Sequence, residues 1–167
     1  MNKKGISNVV ATMILVVLTF TSVSIIWVSI SNLISEETEN SQACFNILDK
    51  VTLNRENTCY NEAENELQFS INREDLDVDN LLVSVSNGEN SISFEILEAG
   101  SEIIGLTMDG GSSTIVLPGD NGGKTYILNL VEVGLAGTPK SIQIAPSING
   151  VLCDVTDSLN QFGSCGA

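Results

Sequence analysis

Four cysteines, 21 carboxylates and no histidine delimit the chemistry open to this 167-residue chain. Without an imidazole there is no Ser-His-Asp or Cys-His arrangement, and the usual proton acceptor near neutral pH is missing. Paired carboxylates alone can hydrolyse glycosides. Here, however, many acids on a small surface make chance pairs, and no spacing places two of them in a cleft. The chain therefore reads as a protein that is not an enzyme. Cys44, Cys59, Cys153 and Cys165 are even in number and all follow a long apolar run. In an oxidising compartment such cysteines pair as disulfides. Three connectivities are open. The sequence-local one, Cys44–Cys59 with Cys153–Cys165, is favoured, each bridge closing a short loop worth about 2–4 kcal/mol. Zinc is disfavoured because the chain lacks both histidine and C-x-x-C spacing, and no metal or cofactor is expected.

Two further segments invite a chemical reading. Asp75-Leu76-Asp77-Val78-Asp79-Asn80 alternates carboxylates like the start of a calcium loop. An EF-hand needs glycine at position 80 and glutamate at 86, where Asn80 and Ser86 stand. A solvated loop, with charges that discourage edge-to-edge strand pairing, is the favoured reading. Gly119-Asp120-Asn121-Gly122-Gly123-Lys124 is glycine-rich but lacks the GK[ST] ending of a phosphate loop, so it reads as a hairpin or inter-sheet connection.

These residues must be carried by some scaffold, and charge divides the chain sharply. Before Glu36 the only charges are Lys3 and Lys4; the remainder carries five basic residues against all 21 acidic ones. So acidic a surface repels phosphate backbones, and no nucleic-acid partner is expected. Between the two charge zones, Ile6 to Ser35 holds no charge, proline or glycine. As a helix this segment exceeds the roughly 30 Å hydrocarbon core of a bilayer. Lysines on one flank and Glu36, Glu37 and Glu39 on the other place the N-terminus in the cytoplasm and the remainder outside. A secretory signal is disfavoured, since the apolar run is too long and no small-x-small site follows it.

The opening residues resemble those of archaeal type IV pilins and their pilin-like relatives. Lys3-Lys4-Gly5 is similar to the basic, glycine-ended leader cut by a prepilin peptidase, and Ser7-Asn8-Val9-Val10-Ala11-Thr12-Met13-Ile14-Leu15 resembles the Ser-Pro-Val-Ile-Ala-Thr-Ile-Leu opening of these pilins. The motif covers about a tenth of the chain. The resemblance implies cleavage after Gly5, leaving Ile6 as the mature N-terminus. Two departures are visible: Asn8 replaces the common proline, and Val10 stands where bacterial pilins carry glutamate. Assembly would then rest on helix packing, with Ala11, Thr12, Thr19, Ser22 and Ser29 permitting close approach.

Beyond the polar Glu36–Gln42 stretch, which extends the helix, the pattern changes to short runs of period two. Strands are expected at Phe45–Leu53, Glu66–Asn72, Leu81–Ser86, Ile92–Leu97, Ser113–Leu117, Lys124–Val131, Lys140–Ala145 and Val151–Val155. Asn87-Gly88, Asp109-Gly110-Gly111 and Asn149-Gly150 mark turns between them. The expected fold is α+β: a leader at 1–5, an apolar transmembrane or filament-core helix at 6–42, and an antiparallel β-sandwich head at 43–167. The immunoglobulin-like arrangement is one form such a head takes. The expected function is a structural subunit, major or minor, of a pilus-like surface filament with an outward, adhesive head. Its expected partners are membrane lipid, a prepilin peptidase and other pilin copies. The alternative is a single-pass anchored β-domain that binds and never polymerises.

Overall fold

Leu, Ile, Val and Phe recur without a helix breaker from Val9 onward, and the chain forms one helix, α1 (Asn8–Ala43). The computed structural model describes residues 8–45, 47 and 49–165. α1 runs on through the polar Glu36–Gln42 stretch and ends one residue before Cys44. The contacts divide the chain into two compact units, one ending at Gln42 and the other beginning at Ala43.

The second unit is a sandwich-like head of mostly antiparallel strands. One sheet contains β1 (Val51–Asn61), β2 (Glu66–Arg73), β6 (Leu106–Met108), β8 (Gly122–Asn129) and β12 (Gly163–Ser164), in the order β12-β1-β2-β8-β6. The other contains β3 (Asn80–Ser86), β4 (Ser91–Leu97), β9 (Ser141–Ile148), β10 (Val151–Leu152) and β11 (Asp157–Leu159). Its order is β10-β9-β3-β4, with β11 also on β9. β5 (Ser101–Glu102) and β7 (Thr114–Ile115) make a separate two-stranded ladder.

Alternation of apolar residues decides which faces meet. Leu67, Phe69 and Ile71 of β2, Tyr126 and Leu128 of β8, Val83 and Val85 of β3, and Ile142 and Ile144 of β9 are all fully buried in one core. Phe69 and Tyr126 are register partners on β2 and β8, and their rings stack with centroids 5.3 Å apart. The Tyr126 hydroxyl donates to the Val116 carbonyl at 2.8 Å, so its one polar atom is satisfied. Burial raises its pKa well above the ordinary phenol value. Each such side chain contributes about 1.5–3 kcal/mol by leaving water.

Three expectations require correction. The first strand begins at Val51, because Asp49 takes a φ of 71° and Lys50 N bonds the Ile47 carbonyl, which turns the chain. It then runs through the polar Asn54–Asn57 segment as a bulge: Asn54 pairs with Ser70 and Cys59 with Gln68, so five steps on β1 oppose two on β2. The Asn54 carboxamide oxygen accepts the Glu56 and Asn57 amides and holds the loop of extra residues. Second, β9 continues through Pro146 to Ile148. The Pro146 carbonyl accepts Cys153 N on the side facing β10, away from β3, so the missing N–H lies on that side and the β3 ladder survives. Third, the cysteines pair as Cys44–Cys153 and Cys59–Cys165, not locally. β12 runs parallel to β1, with Gly163 beside Cys59, and this brings Cys165 to Cys59. Cys153 follows β10 into a small cluster with Ile47 and Ile148, against which Cys44 packs.

Candidate functional site

In α1, Val10–Ser31 forms a 22-residue stretch long and apolar enough to cross a membrane. At about 1.5 Å per residue it measures about 33 Å, against a hydrocarbon core of about 30 Å. Every side chain from Val10 to Ile30 is exposed within the chain, including Phe20 and Trp27, both 71% exposed. A helix apolar on all sides requires cover from lipid or from other helices.

Its hydroxyls would be a liability in such surroundings, since an unpaired one costs about 1–3 kcal/mol or more. Five of them bond to the helix's own backbone. Thr19 Oγ1 donates to the Val16 carbonyl at 2.8 Å, and Thr21 Oγ1 to that of Leu18 at 2.9 Å. Ser22 Oγ also donates to Leu18, Ser24 Oγ to Phe20 and Ser29 Oγ to Ile25, at 2.8, 2.8 and 3.0 Å. Thr19, Ser22 and Ser29, expected to permit close helix approach, are therefore small and internally satisfied. The roles of Thr21 and Ser24 were not anticipated, although any Ser or Thr in an apolar helix has a carbonyl within reach three or four residues back.

The leader residues Lys3, Lys4, Gly5 and Ile6 lie outside the described residues. In the head, all four cysteines are bonded. The acidic run does not converge: Asp79 instead accepts the Gly150 amide through Oδ2 at 2.7 Å, bracing the β9–β10 turn. Among the described residues no three Cys, Asp or Glu side chains gather as metal ligands. The glycine-rich segment is a turn that runs directly into β8, with Asn121 at a φ of 53° and Gly122 N bonded to the Gly119 carbonyl. Asp120, within it, pairs with the buried Arg73, a contact that sequence reasoning missed because 47 residues separate the two. Glu66 has its pKa raised, first by partial desolvation and then by the neighbouring charges of Glu64 and Glu132.

Comparison with known proteins found no family model that matches the chain and no curated protein similar to it.

Proposed function

We propose that the chain is a structural subunit, major or minor, of a type IV pilus-like surface filament. The observation that carries this reading is α1, uniformly apolar from Val10 to Ile30 with five hydroxyls turned back onto its own carbonyls. Such a helix is stable in lipid before assembly and in a bundle of like helices afterward. Lys3 and Lys4 hold the N-terminus in the cytoplasm. A prepilin peptidase removes residues 1–5, and the freed helices pack into the filament core. The head, bearing two disulfides, faces the oxidising exterior and meets surfaces or other cells.

The N-terminal mass of the protein isolated from native membranes or filaments tests this. The expected mature chain begins at Ile6. A chain that retains Lys3-Lys4-Gly5 would replace the proposal with the fixed, single-pass anchored binding domain.

A further inference from the structure

The β1 bulge lifts Arg55 out of the sheet, beside the chain that follows β11. There Arg55, Asn160 and Gln161 line a depression of about 370 Å³. A second depression, of about 210 Å³, is lined by Tyr60, Glu62 and Phe162 and shares Asn160 with the first. Sites for small ligands run from about 300 to 1,000 Å³, so only the first is large enough by itself, and the second adjoins it at Asn160 to make a longer groove. Arg55 makes no ion pair among the described residues, although acids outnumber bases threefold in the chain. Asn160 and Gln161 are exposed, and among the described residues neither side chain makes a hydrogen bond. Tyr60 and Phe162 are half-buried, each with its inner edge packed on the core.

We propose that this groove binds an acidic oligosaccharide. The guanidinium of Arg55 takes a uronate carboxylate as a two-pronged partner, which a lysine could not do as well. The carboxamides of Asn160 and Gln161 both donate and accept, as sugar hydroxyls require. Tyr60 and Phe162 offer apolar ring faces to the C–H face of the next sugar, and Glu62 accepts from its hydroxyls. Arg55 supplies positive charge where the carboxylate would sit, and the head's distant charges are screened beyond about 8 Å at physiological salt. The groove's own Glu62 lines the other depression, away from Arg55. The site needs only the folded head and is independent of leader cleavage or filament assembly.

The test uses the full chain in detergent micelles on an array of immobilised oligosaccharides of two to four units. Uronate-bearing members are displayed beside their carboxyl-reduced counterparts. Binding to uronate members is expected, with Arg55→Gln lowering it at least tenfold and leaving any binding to reduced members unchanged. Asn160→Ala, at the junction of the two depressions, is expected to lower both. Arg55→Lys keeps the charge without the fork and should fall between. Lys124→Gln, which removes a positive charge outside the groove, should match the parent chain. Both altered groove residues are exposed, and circular dichroism with disulfide mapping checks each variant's fold. The proposal is overturned if no uronate member is retained above its reduced counterpart. It is equally overturned if Arg55→Gln and Asn160→Ala bind like the parent, or if Lys124→Gln is as damaging as Arg55→Gln.

Discussion

Cys44 and Cys153 stand 109 residues apart in sequence, yet their Cα atoms lie 5.5 Å apart. Cys59 and Cys165 repeat the relationship across 106 residues, at 5.0 Å. The two bridges interleave, and this changes their energetics. In the chain-entropy picture the first closes a loop worth about 5 kcal/mol. The second then closes a much shorter path through the first, worth about 3.5 kcal/mol. By the same relation either short local loop would contribute about 3 kcal/mol, so both bridges exceed it, because the unfolded chain loses more freedom.

Digestion with trypsin under non-reducing conditions separates the possibilities. No Lys or Arg lies between Cys153 and Cys165, so both fall in the peptide 141–167. The interleaved pairing predicts one species in which this peptide holds the Cys44 and Cys59 peptides together. Local pairing would release 141–167 by itself with an internal bridge. A second cut at Asp154 or Asp157 then assigns each partner. Replacing Cys59 and Cys165 together by serine is expected to lower stability by about 2–5 kcal/mol, read by chemical denaturation.

The stacked pair Phe69 and Tyr126 is the centre of the core. Phe69→Ala should cost about 3–5 kcal/mol, while an exposed change such as Glu98→Gln should stay within about 0.5 kcal/mol. Tyr126 also sets an alkaline limit. Its folded pKa lies above the ordinary value of 10.0, so the neutral form is favoured by folding. That contribution is complete below pH 10 and is lost as pH rises further, because only the unfolded chain ionises readily. Tyr126→Phe should flatten stability above pH 10, at a cost of about 1 kcal/mol from the lost bond to Val116. Urea midpoints across that range give the answer.

Glu66 works in the opposite range. Its folded pKa is raised above 4.5 by partial desolvation and by Glu64 and Glu132, so its charged form disfavours the fold. Protonation should therefore recover stability as pH falls through the raised value toward 4.5. Glu66→Gln is expected to stabilise the head slightly at pH 7, with the gain disappearing near pH 4. Melting temperatures of parent and variant that stay parallel across this window would exclude the effect.

The apolar helix should tolerate loss of its hydroxyls but not gain of charge. Ser22→Ala removes a group already bonded to Leu18, so membrane integration should be unchanged. Phe20→Lys places a charge near the middle of the Val10–Ser31 stretch and should cost about 2.5–3.5 kcal/mol of insertion free energy. Carbonate extraction of membranes from cells expressing each variant measures this as the fraction retained.

Much of this architecture was legible in the residues because burial leaves a local period. The uninterrupted run from Val9 can only be one helix, and Leu67/Phe69/Ile71, Val83/Val85 and Ile142/Ile144 alternate as strands with one buried face must. Asn149-Gly150 likewise announces its turn, with φ values of 52° and 76° that few other residue pairs adopt. The same local signals misplaced the start of β1 and ended β9 at Ala145, short of Pro146. A bulge and a proline inside a strand are tolerated only because of what lies beside them. β5, β6, β11 and β12 span two or three residues each, too few to show a period. Cysteine pairing, the Arg73–Asp120 contact and the groove at Asn160 belong to the tertiary structure alone. Each depends on which distant strands become neighbours, and that choice is made by the packing of two sheets rather than by any local run of residues.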